Sequence, residues 1–232
     1  MSDCIQVMPG EFQRRSARTQ TFLFADLAGY SALTEVHGDE HAADVAAEFV
    51  RAVRVLLDQH GAEHVKAIGD AVLVRVAHAR PGVELGRRIV CDLGARHRGL
   101  GIRVGIHTGT AVERDGDWFG SAVNVAARVS ALAEPGEVLL SAATLKAAGP
   151  QASARSRGVQ QLRNIADPVE IFALALDMDR TGAPLVVDPV CRMAIDADRA
   201  EERITHRGSD YLFCSAECAR AFGRDPERYA SD

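Results

Sequence analysis

The sequence predicts an α+β fold in which helices cover a mixed, largely antiparallel sheet. Helical and strand patterns alternate along the chain, but several strand pairs are joined by turns too short for a parallel crossover, so these pairs must be antiparallel hairpins. The composition over 232 residues, with 47% hydrophobic and 25% charged residues, is typical of a globular protein. This length accommodates one large domain, or one medium domain with a small second one.

The first elements are a strand, a long helix and a hairpin. The apolar run TFLFADL predicts a buried strand over residues 21–27. A helix face follows, with a bend expected at HGDEH and an end at Gly61. Its apolar positions recur at helical spacing: Val45, Phe49, Val53 and Leu56. The segment EHVKAIGDAVLVRV then predicts two strands joined at Gly69-Asp70.

The elements that follow alternate in the same way. A second helix is predicted from Pro81 to about His97, and IRVGIHTGTAVERDGDW predicts two further strands. The segment SAVNVAARVSALA predicts a helix packed on the sheet, and EPGEVLLSAATLKAAG a strand and a short helix. Two last strands are expected on either side of a loop that contains Pro168.

A change of composition at DMDRTGAPLVV predicts a linker between two domains. The predicted division is a flexible arm at 1–20, a large domain at 21–177, a linker at 178–187 and a small cysteine-containing α/β module at 188–232. The five cysteines are odd in number and unevenly placed, which favours free thiols or metal ligands over a disulfide framework.

Charge and hydropathy exclude several classes of protein. The net charge of −5 argues against a general nucleic-acid-binding surface. The N-terminus has no apolar signal-peptide core, and no apolar run approaches the about 18 residues that a membrane span needs. The sequence therefore predicts a cytoplasmic protein that binds neither nucleic acid nor membrane.

Two aspartates stand where an apolar sheet would exclude them. Asp26 lies within the first strand, and Asp70 at the tip of the hairpin. A buried carboxylate is costly unless a cation or strong donors meet it, and two carboxylates at the ends of neighbouring strands can share divalent cations such as Mg²⁺ or Mn²⁺. Taken singly, Asp26 could instead cap the next helix, and Asp70 could be an ordinary turn residue.

Four segments, in this order, resemble the catalytic domain of class III nucleotidyl cyclases: FLFADLAGYSALT, KAIGDAVLV, RVGIHTG and DWFGSAVNVAARV. The resemblance covers roughly residues 21–176 and implies that family's ferredoxin-like sheet with covering helices. It implies that Asp26 and Asp70 bind two Mg²⁺ or Mn²⁺ ions. It also implies that Lys66 and Asp117 select adenine, so that ATP is the substrate and 3′,5′-cyclic AMP and pyrophosphate are the products.

The resemblance implies roles for three more residues. Asn124 would orient the ribose and Arg128 would stabilise charge on the α-phosphate; their i, i+4 spacing puts them on one helix face. Arg163 would contact the polyphosphate, although the family has Lys-Gly where this chain has Arg163-Asn164. The plainer interpretations are a polar helix face and, for Lys66, an exposed strand lysine. Each site of the family lies between two protomers, which implies a head-to-tail homodimer.

The C-terminal segments DPVCRMAI and YLFCSAECARAFGRDPERY resemble a YHS domain, with Arg192 in place of the glycine usual after the first cysteine. Its cysteines are Cys191, Cys214 and Cys218. Their thiolates could hold Zn²⁺ or Cu⁺, with His206 as a candidate fourth ligand. Alternatively, the cysteines pack the core of a small domain beside its aromatic residues.

Together these features predict an adenylate cyclase, and metal or redox regulation through the YHS domain is a hypothesis. Two alternatives stay open on the sequence alone. One is a guanylate or mixed-specificity cyclase. The other is a catalytically silent cyclase-like domain attached to a metal-binding YHS domain. Two residues on the strand RVGIHTG, Arg103 and His107, are predicted to be structural.

Overall fold

The computed structural model describes residues 17–94, 100–176 and 185–230. Its largest element is an eight-stranded sheet. The strands are β1 (Arg18–Leu27), β2 (Ala62–Ile68), β3 (Ala71–Val76), β4 (Ile102–Arg114), β5 (Asp117–Phe119), β6 (Val138–Ser141), β7 (Ala154–Gln160) and β8 (Val169–Leu174). Their order is β2-β3-β1-β4-β6-β8-β7, and β5 pairs with β4.

The helices of this part of the chain are α1 (Tyr30–His37), α2 (Asp39–Leu57), α3 (Ala79–Arg88), α4 (Ser121–Ser130) and α5 (Ala142–Ala148). The predicted long helix is two helices, because Gly38 takes a φ of 84° and ends α1 where the sequence predicts only a bend. Helix α3 continues into a π-helical turn at Ile89–Leu93. Its predicted end near His97 lies outside the described residues.

The order of elements confirms the predicted ferredoxin-like sheet. Strand β1 pairs antiparallel with both β3 and β4, and β2 pairs antiparallel with β3. The chain from β1 to β4 is therefore a βαββαβ unit with strand order β2-β3-β1-β4. The sheet is mixed because β4 and β6 run parallel.

The two faces of β1 have different roles. Leu23, Ala25 and Leu27 belong to the main core beneath the helices, and all three are buried. Because side chains alternate along a strand, Phe22 and Asp26 point to the opposite face. There Phe22 packs in a second cluster with Trp118 of β5 and apolar residues of α4. Asp26 thus lies on the face that α4 only partly covers.

Helix α4 can lie directly on β4 because a glycine stands at the crossing. A Cβ atom added to Gly105 would lie 2.0 Å from the backbone nitrogen of Ser130. Any larger residue at this position would push the helix away from the sheet. The glycine therefore fixes the distance between the sheet and the outer face of α4.

The C-terminal residues form two small hairpin-like sheets and two helices: β9 (Leu185–Val187) with β10 (Ala194–Asp196), β11 (Glu202–His206) with β12 (Ser209–Phe213), α6 (Ala216–Arg224) and α7 (Pro226–Tyr229). Four residues are completely buried in their core: Cys191, Phe213, Cys218 and Phe222. This module agrees with the predicted small α/β unit.

The structure also bears on the predicted ends of the segments. Strand β1 begins at Arg18, inside the segment predicted as an arm, and β9 occupies residues 185–187, the last part of the predicted linker. The remaining parts of those two segments, 1–16 and 178–184, lie outside the described residues. Among the residues that are described, no helix combines the length and apolar character required to cross a membrane.

Candidate active site

Asp26 meets a cation within its own sheet. It stands opposite Arg103 in the register of β1 and β4. The guanidinium of Arg103 donates two hydrogen bonds to the carboxylate, with Nε 3.1 Å from Oδ1 and Nη2 2.9 Å from Oδ2. Arg103, which the sequence predicts to be structural, is therefore the direct partner of a predicted metal ligand.

Asp70 lies close to Asp26. It follows Gly69, whose φ of 61° permits the two-residue turn between β2 and β3. Burial raises the pKa of the Asp70 carboxyl, while hydrogen bonds from its own backbone N–H and from that of Leu27 lower it. Burial also raises the pKa of Asp26, against the opposing effect of Arg103, and the charge of Asp70 raises it further. Both carboxylates are partly buried, and the charge of the Arg103 guanidinium lowers the pKa of each, so this pair of oxygen donors fits a hard divalent cation.

Lys66 and Asp117 form an ion pair although they lie on different strands. Lys66 Nζ is 2.6 Å from Asp117 Oδ2. The other carboxylate oxygen accepts a hydrogen bond from the backbone N–H of Trp118 at 2.8 Å, and Lys66 lies 5.8 Å from the centre of the Phe119 ring. The hydrogen bond from Lys66 holds the pKa of Asp117 below its usual value. The structure therefore joins the two predicted base-selecting residues.

The register also places Lys66 on the face of the sheet that carries Asp26. Lys66 is opposite Leu73 of β3, and Leu73 is opposite Phe24 of β1. Residues that are directly opposite in an antiparallel pair point to the same side, and Asp26 is two positions beyond Phe24. The ion pair and Asp26 thus share one face.

The three remaining predicted residues are exposed. Asn124 and Arg128 lie one turn apart on the outer face of α4, and Arg163 lies in the loop between β7 and β8. Within the described ranges, no hydrogen bond or ion pair connects their side chains to the aspartates. Asn164 has a φ of 62°, a backbone conformation that favours glycine and that asparagine tolerates better than most residues.

His107 is half-buried in the sheet. Its Nδ1 atom lies 2.7 Å from the hydroxyl of Ser141, and burial lowers the pKa of the imidazole to about 4. The hydroxyl of Ser141 is in turn bonded to Thr144. These contacts tie β4 to β6 and α5, which agrees with the predicted structural role.

The cysteines of the C-terminal module form a second cluster. The sulfur of Cys214 lies 3.4 Å from that of Cys191 and 3.7 Å from that of Cys218. Interaction with the neighbouring thiols of Cys191 and Cys214 lowers the pKa of the Cys218 thiol to about 5. Cys214 precedes α6, and Cys218 lies in its first turn, where the Ser215 hydroxyl accepts a hydrogen bond from the Cys218 backbone N–H.

The structure does not place His206, the candidate fourth ligand, at this cluster. Nε2 of His206 points to Glu227 Oε1, at 3.4 Å, and the imidazole ring packs edge-on against Phe222. The histidine that reaches the sulfurs is His37, the last residue of α1, which belongs to the large sheet domain. No motif connects His37 to the cysteines, since it lies 177 positions before Cys214.

The fold is that of a nucleotidyl cyclase catalytic domain. Residues 12–175 match the family described as the adenylate and guanylate cyclase catalytic domain, and residues 186–232 match the YHS domain family. Because the first match covers more than half of the chain, the protein belongs to the adenylate and guanylate cyclase family.

Curated relatives include bacterial adenylate cyclases. The pH-sensitive adenylate cyclase MT1302 of Mycobacterium tuberculosis is 34% identical over 172 residues, which is 72% of this chain and 43% of the relative. The adenylate cyclase of Streptomyces griseus is 32% identical over 123 residues, 53% of this chain and 31% of the relative. The chain thus spans less than half the length of each.

Solved cyclase structures share the fold. The adenylyl cyclase CyaB of P. aeruginosa has a TM-score of 0.61 at 22% identity and covers 72% of this chain and 98% of its own. An adenylate/guanylate cyclase/hydrolase from Silicibacter pomeroyi has a TM-score of 0.59 at 29% identity, with 70% and 99% covered.

Proposed function

We propose that this protein is an adenylate cyclase that converts ATP to 3′,5′-cyclic AMP and pyrophosphate. The pairing of Lys66 with Asp117 carries the proposal. An ammonium beside a carboxylate offers adenine a donor for N1 and an acceptor for its exocyclic amine. Guanine would present its O6 to the carboxylate, and two acceptors repel each other. The pair therefore favours ATP over GTP.

Asp26 and Asp70 are proposed to hold two Mg²⁺ or Mn²⁺ ions. Their fit rests on hard oxygen donors, on partial burial and on the cation that Asp26 already attracts. When bound, such ions would lower the pKa of the ribose 3′-hydroxyl and neutralise charge on the leaving pyrophosphate. Arg103 donates two hydrogen bonds to the Asp26 carboxylate and would therefore orient it. The same guanidinium would compete with a metal ion for this carboxylate.

The other residues bind and orient the nucleotide. Asn124 would hydrogen-bond the ribose so that its 3′-oxygen faces the α-phosphorus. Arg128 would donate to the α-phosphate oxygens as their charge grows in the transition state, and Arg163 would donate to the departing pyrophosphate. The 3′-oxygen forms a bond to the α-phosphorus while the bond to the pyrophosphate oxygen breaks.

A head-to-tail homodimer is proposed as the active species, with the aspartates of one chain facing Asn124 and Arg128 of the other. Exposed apolar residues on the polar face support this arrangement. Ile68, between Lys66 and Asp70, and Phe119 are each 52% exposed. A second copy would cover this apolar surface.

The full chain, incubated separately with ATP and GTP in Mg²⁺ and in Mn²⁺, tests the proposal. Cyclic AMP and pyrophosphate should form in equal amounts, and Asp70→Ala should abolish both. Cyclic GMP as the main product would overturn the assignment of Lys66 and Asp117. Absence of any cyclic product from dimeric, metal-loaded protein would favour a silent cyclase-like domain.

A further inference from the structure

Four ligand atoms from two parts of the chain converge beside α1. They are the sulfurs of three cysteines and Nε2 of His37, and all lie within 4.8 Å of one another. Cys191 and Cys218 are buried, whereas Cys214 and His37 are partly exposed, so the cluster has a path to solvent. Cys214 Sγ and Cys218 Sγ are 3.7 and 3.6 Å from His37 Nε2.

These distances match the edges of a metal-centred tetrahedron. With Zn–S bonds of about 2.3 Å and a Zn–N bond of about 2.1 Å, tetrahedral Zn²⁺ has S···S edges of about 3.8 Å and S···N edges of about 3.6 Å. The two S···S distances from Cys214 are 3.4 and 3.7 Å, and His37 Nε2 lies 3.7 and 3.6 Å from the sulfurs of Cys214 and Cys218. The two remaining distances, from Cys191 to Cys218 and to His37, are at most 4.8 Å. The ligand atoms therefore need only small shifts to surround one ion.

A buried carboxylate holds the two cysteine-bearing loops in this arrangement. Asp188 is completely buried. Its Oδ1 accepts hydrogen bonds from the backbone N–H groups of Val190 and Cys191 at 2.8 and 3.3 Å, and its Oδ2 accepts one from Cys214 at 2.8 Å. Such outer contacts orient metal ligands before the ion arrives.

The same region is where the C-terminal module contacts the catalytic sheet domain. A Cβ on Gly29, the residue before α1, would lie 2.6 Å from Cβ of Arg192, so the turn after Cys191 rests on the segment that follows Asp26. Further along α1, Arg228 of α7 donates a hydrogen bond to Glu35 at 3.0 Å.

We propose that one Zn²⁺ ion binds Cys191, Cys214, Cys218 and His37, and so fastens the C-terminal module to α1 of the catalytic domain. Three thiolates and one imidazole form a closed structural zinc site, which leaves no position for substrate. Cu⁺ favours thiolates and would not need the imidazole. The histidine is therefore the ligand that completes the four-coordinate zinc set and joins the two modules.

A consequence for catalysis rests on the proposed cyclase function. Helix α1 starts four residues after Asp26, and its position is constrained from the other side by the zinc ligand His37. Zinc loading should therefore change the rate of cyclic AMP formation. Binding itself is measured without turnover, so the zinc site and the cyclase can fail independently.

The test measures the zinc content and the zinc affinity of the full chain. The protein is purified with a phosphine reductant, and its affinity is measured by competition with a chromophoric chelator. Wild-type protein should retain one equivalent of Zn²⁺. His37→Ala and Cys218→Ser should each weaken binding by at least about tenfold, since even outer-shell changes cost about 10- to 100-fold. His206→Ala, the candidate from sequence, and His41→Ala, whose ring centre lies 5.5 Å from that of His37, are controls that should bind normally.

Co²⁺ substitution provides a second readout. The wild-type complex should show the visible bands of tetrahedral Co²⁺ with thiolate charge transfer, and His37→Ala should shift the visible bands while the charge transfer persists. Zinc affinity that His37→Ala leaves unchanged would overturn the shared site. So would tight Cu⁺ binding that excludes Zn²⁺, or a Cys191–Cys214 disulfide in place of any metal.

Discussion

The aspartate pair and the cysteine cluster differ in how much of each site one chain supplies. Asp26 and Asp70 offer two carboxylates on an open face, and the residues proposed to complete the site belong to a second copy. The cysteine cluster has four ligands in one chain. Catalytic metal sites keep positions open for substrate, whereas structural sites are closed. On the proposed functions, the first site binds and releases substrate, and the second keeps its metal ion permanently.

The two sites also handle charge differently. Asp26 is balanced by the guanidinium of Arg103, and burial raises the pKa of both aspartates, so each carboxylate is held at a cost. The cysteine loops are instead fixed by backbone hydrogen bonds to Asp188. Substitutions at the aspartate pair should therefore leave zinc binding unchanged.

The largest effect should come from Asp70→Ala. Loss of one of the two metal-binding carboxylates should lower cyclic AMP formation by at least about 100-fold, because removal of a single electrostatic contact to a transition state costs that much. Zinc content should be unchanged. Turnover and zinc content are measured on the same preparation, with Asp58→Ala, an exposed carboxylate after α2, as control. Parallel loss of zinc and activity would mean that the sites are not separate.

A smaller effect is expected at the base-selecting pair. Lys66→Ala and Asp117→Ala should each lower kcat/KM for ATP by about tenfold or more, and lower kcat/KM for GTP less. The double variant should lose less than the sum of the two, since Nζ and Oδ2 are 2.6 Å apart. Lys146→Ala is a control, because Lys146 is the only other lysine in the chain. Fully additive losses would contradict a joint role.

Arg103→Met should destabilise the metal-free protein. The Asp26 carboxylate would lose its cation, and because both side chains are partly exposed the expected cost is about 1 to 2 kcal/mol, below that of a fully buried pair. Saturating Mg²⁺ should recover much of this loss. Urea unfolding in EDTA and in Mg²⁺ measures both quantities, with exposed Arg51→Met as control. An equal loss of stability in EDTA and in Mg²⁺ would argue against Mg²⁺ and the Arg103 guanidinium neutralising the same carboxylate.

The smallest effect concerns Asp70 and pH. Since burial raises its pKa in the folded state, its ionised form costs stability, and that cost is fully present above the folded pKa. Asp70→Asn should therefore stabilise the metal-free protein at neutral pH, by less than about 1 kcal/mol after solvent screening. The gain should disappear as the pH falls to the usual aspartate value. Unfolding titrations at several pH values test this, and a gain that grows on acidification would have the wrong sign.

Sequence reasoning found the residues that lie in contiguous motifs. Asp26 and Asp70 stand out as charges among apolar strand residues, and the roles predicted for Lys66 and Asp117 rest on the resemblance to nucleotidyl cyclases. The sheet followed from hairpin turns and apolar periodicity, because those signals are local. Gly38 shows the limit of such reasoning, since the bend predicted there is a complete break between two helices.

The contacts that sequence reasoning missed depend on tertiary structure. Arg103 meets Asp26 only through the register of β1 and β4, which no local pattern specifies. His37 reaches the cysteines only because the C-terminal module docks on α1, whereas His206, which lies within that module, faces Glu227 instead. Packing between the two modules, rather than closeness in sequence, brings His37 to the three cysteines.

The central claim is that the catalytic site is shared between two chains, and mixing two inactive variants tests it most directly. Asp26→Ala and Arg128→Ala proteins are unfolded together, refolded and assayed for cyclic AMP. Random pairing makes half of the dimers mixed, each with one intact site, so activity should recover to roughly one quarter of wild type. Mixed dimers that form, as shown by mass, but stay inactive would contradict the shared site.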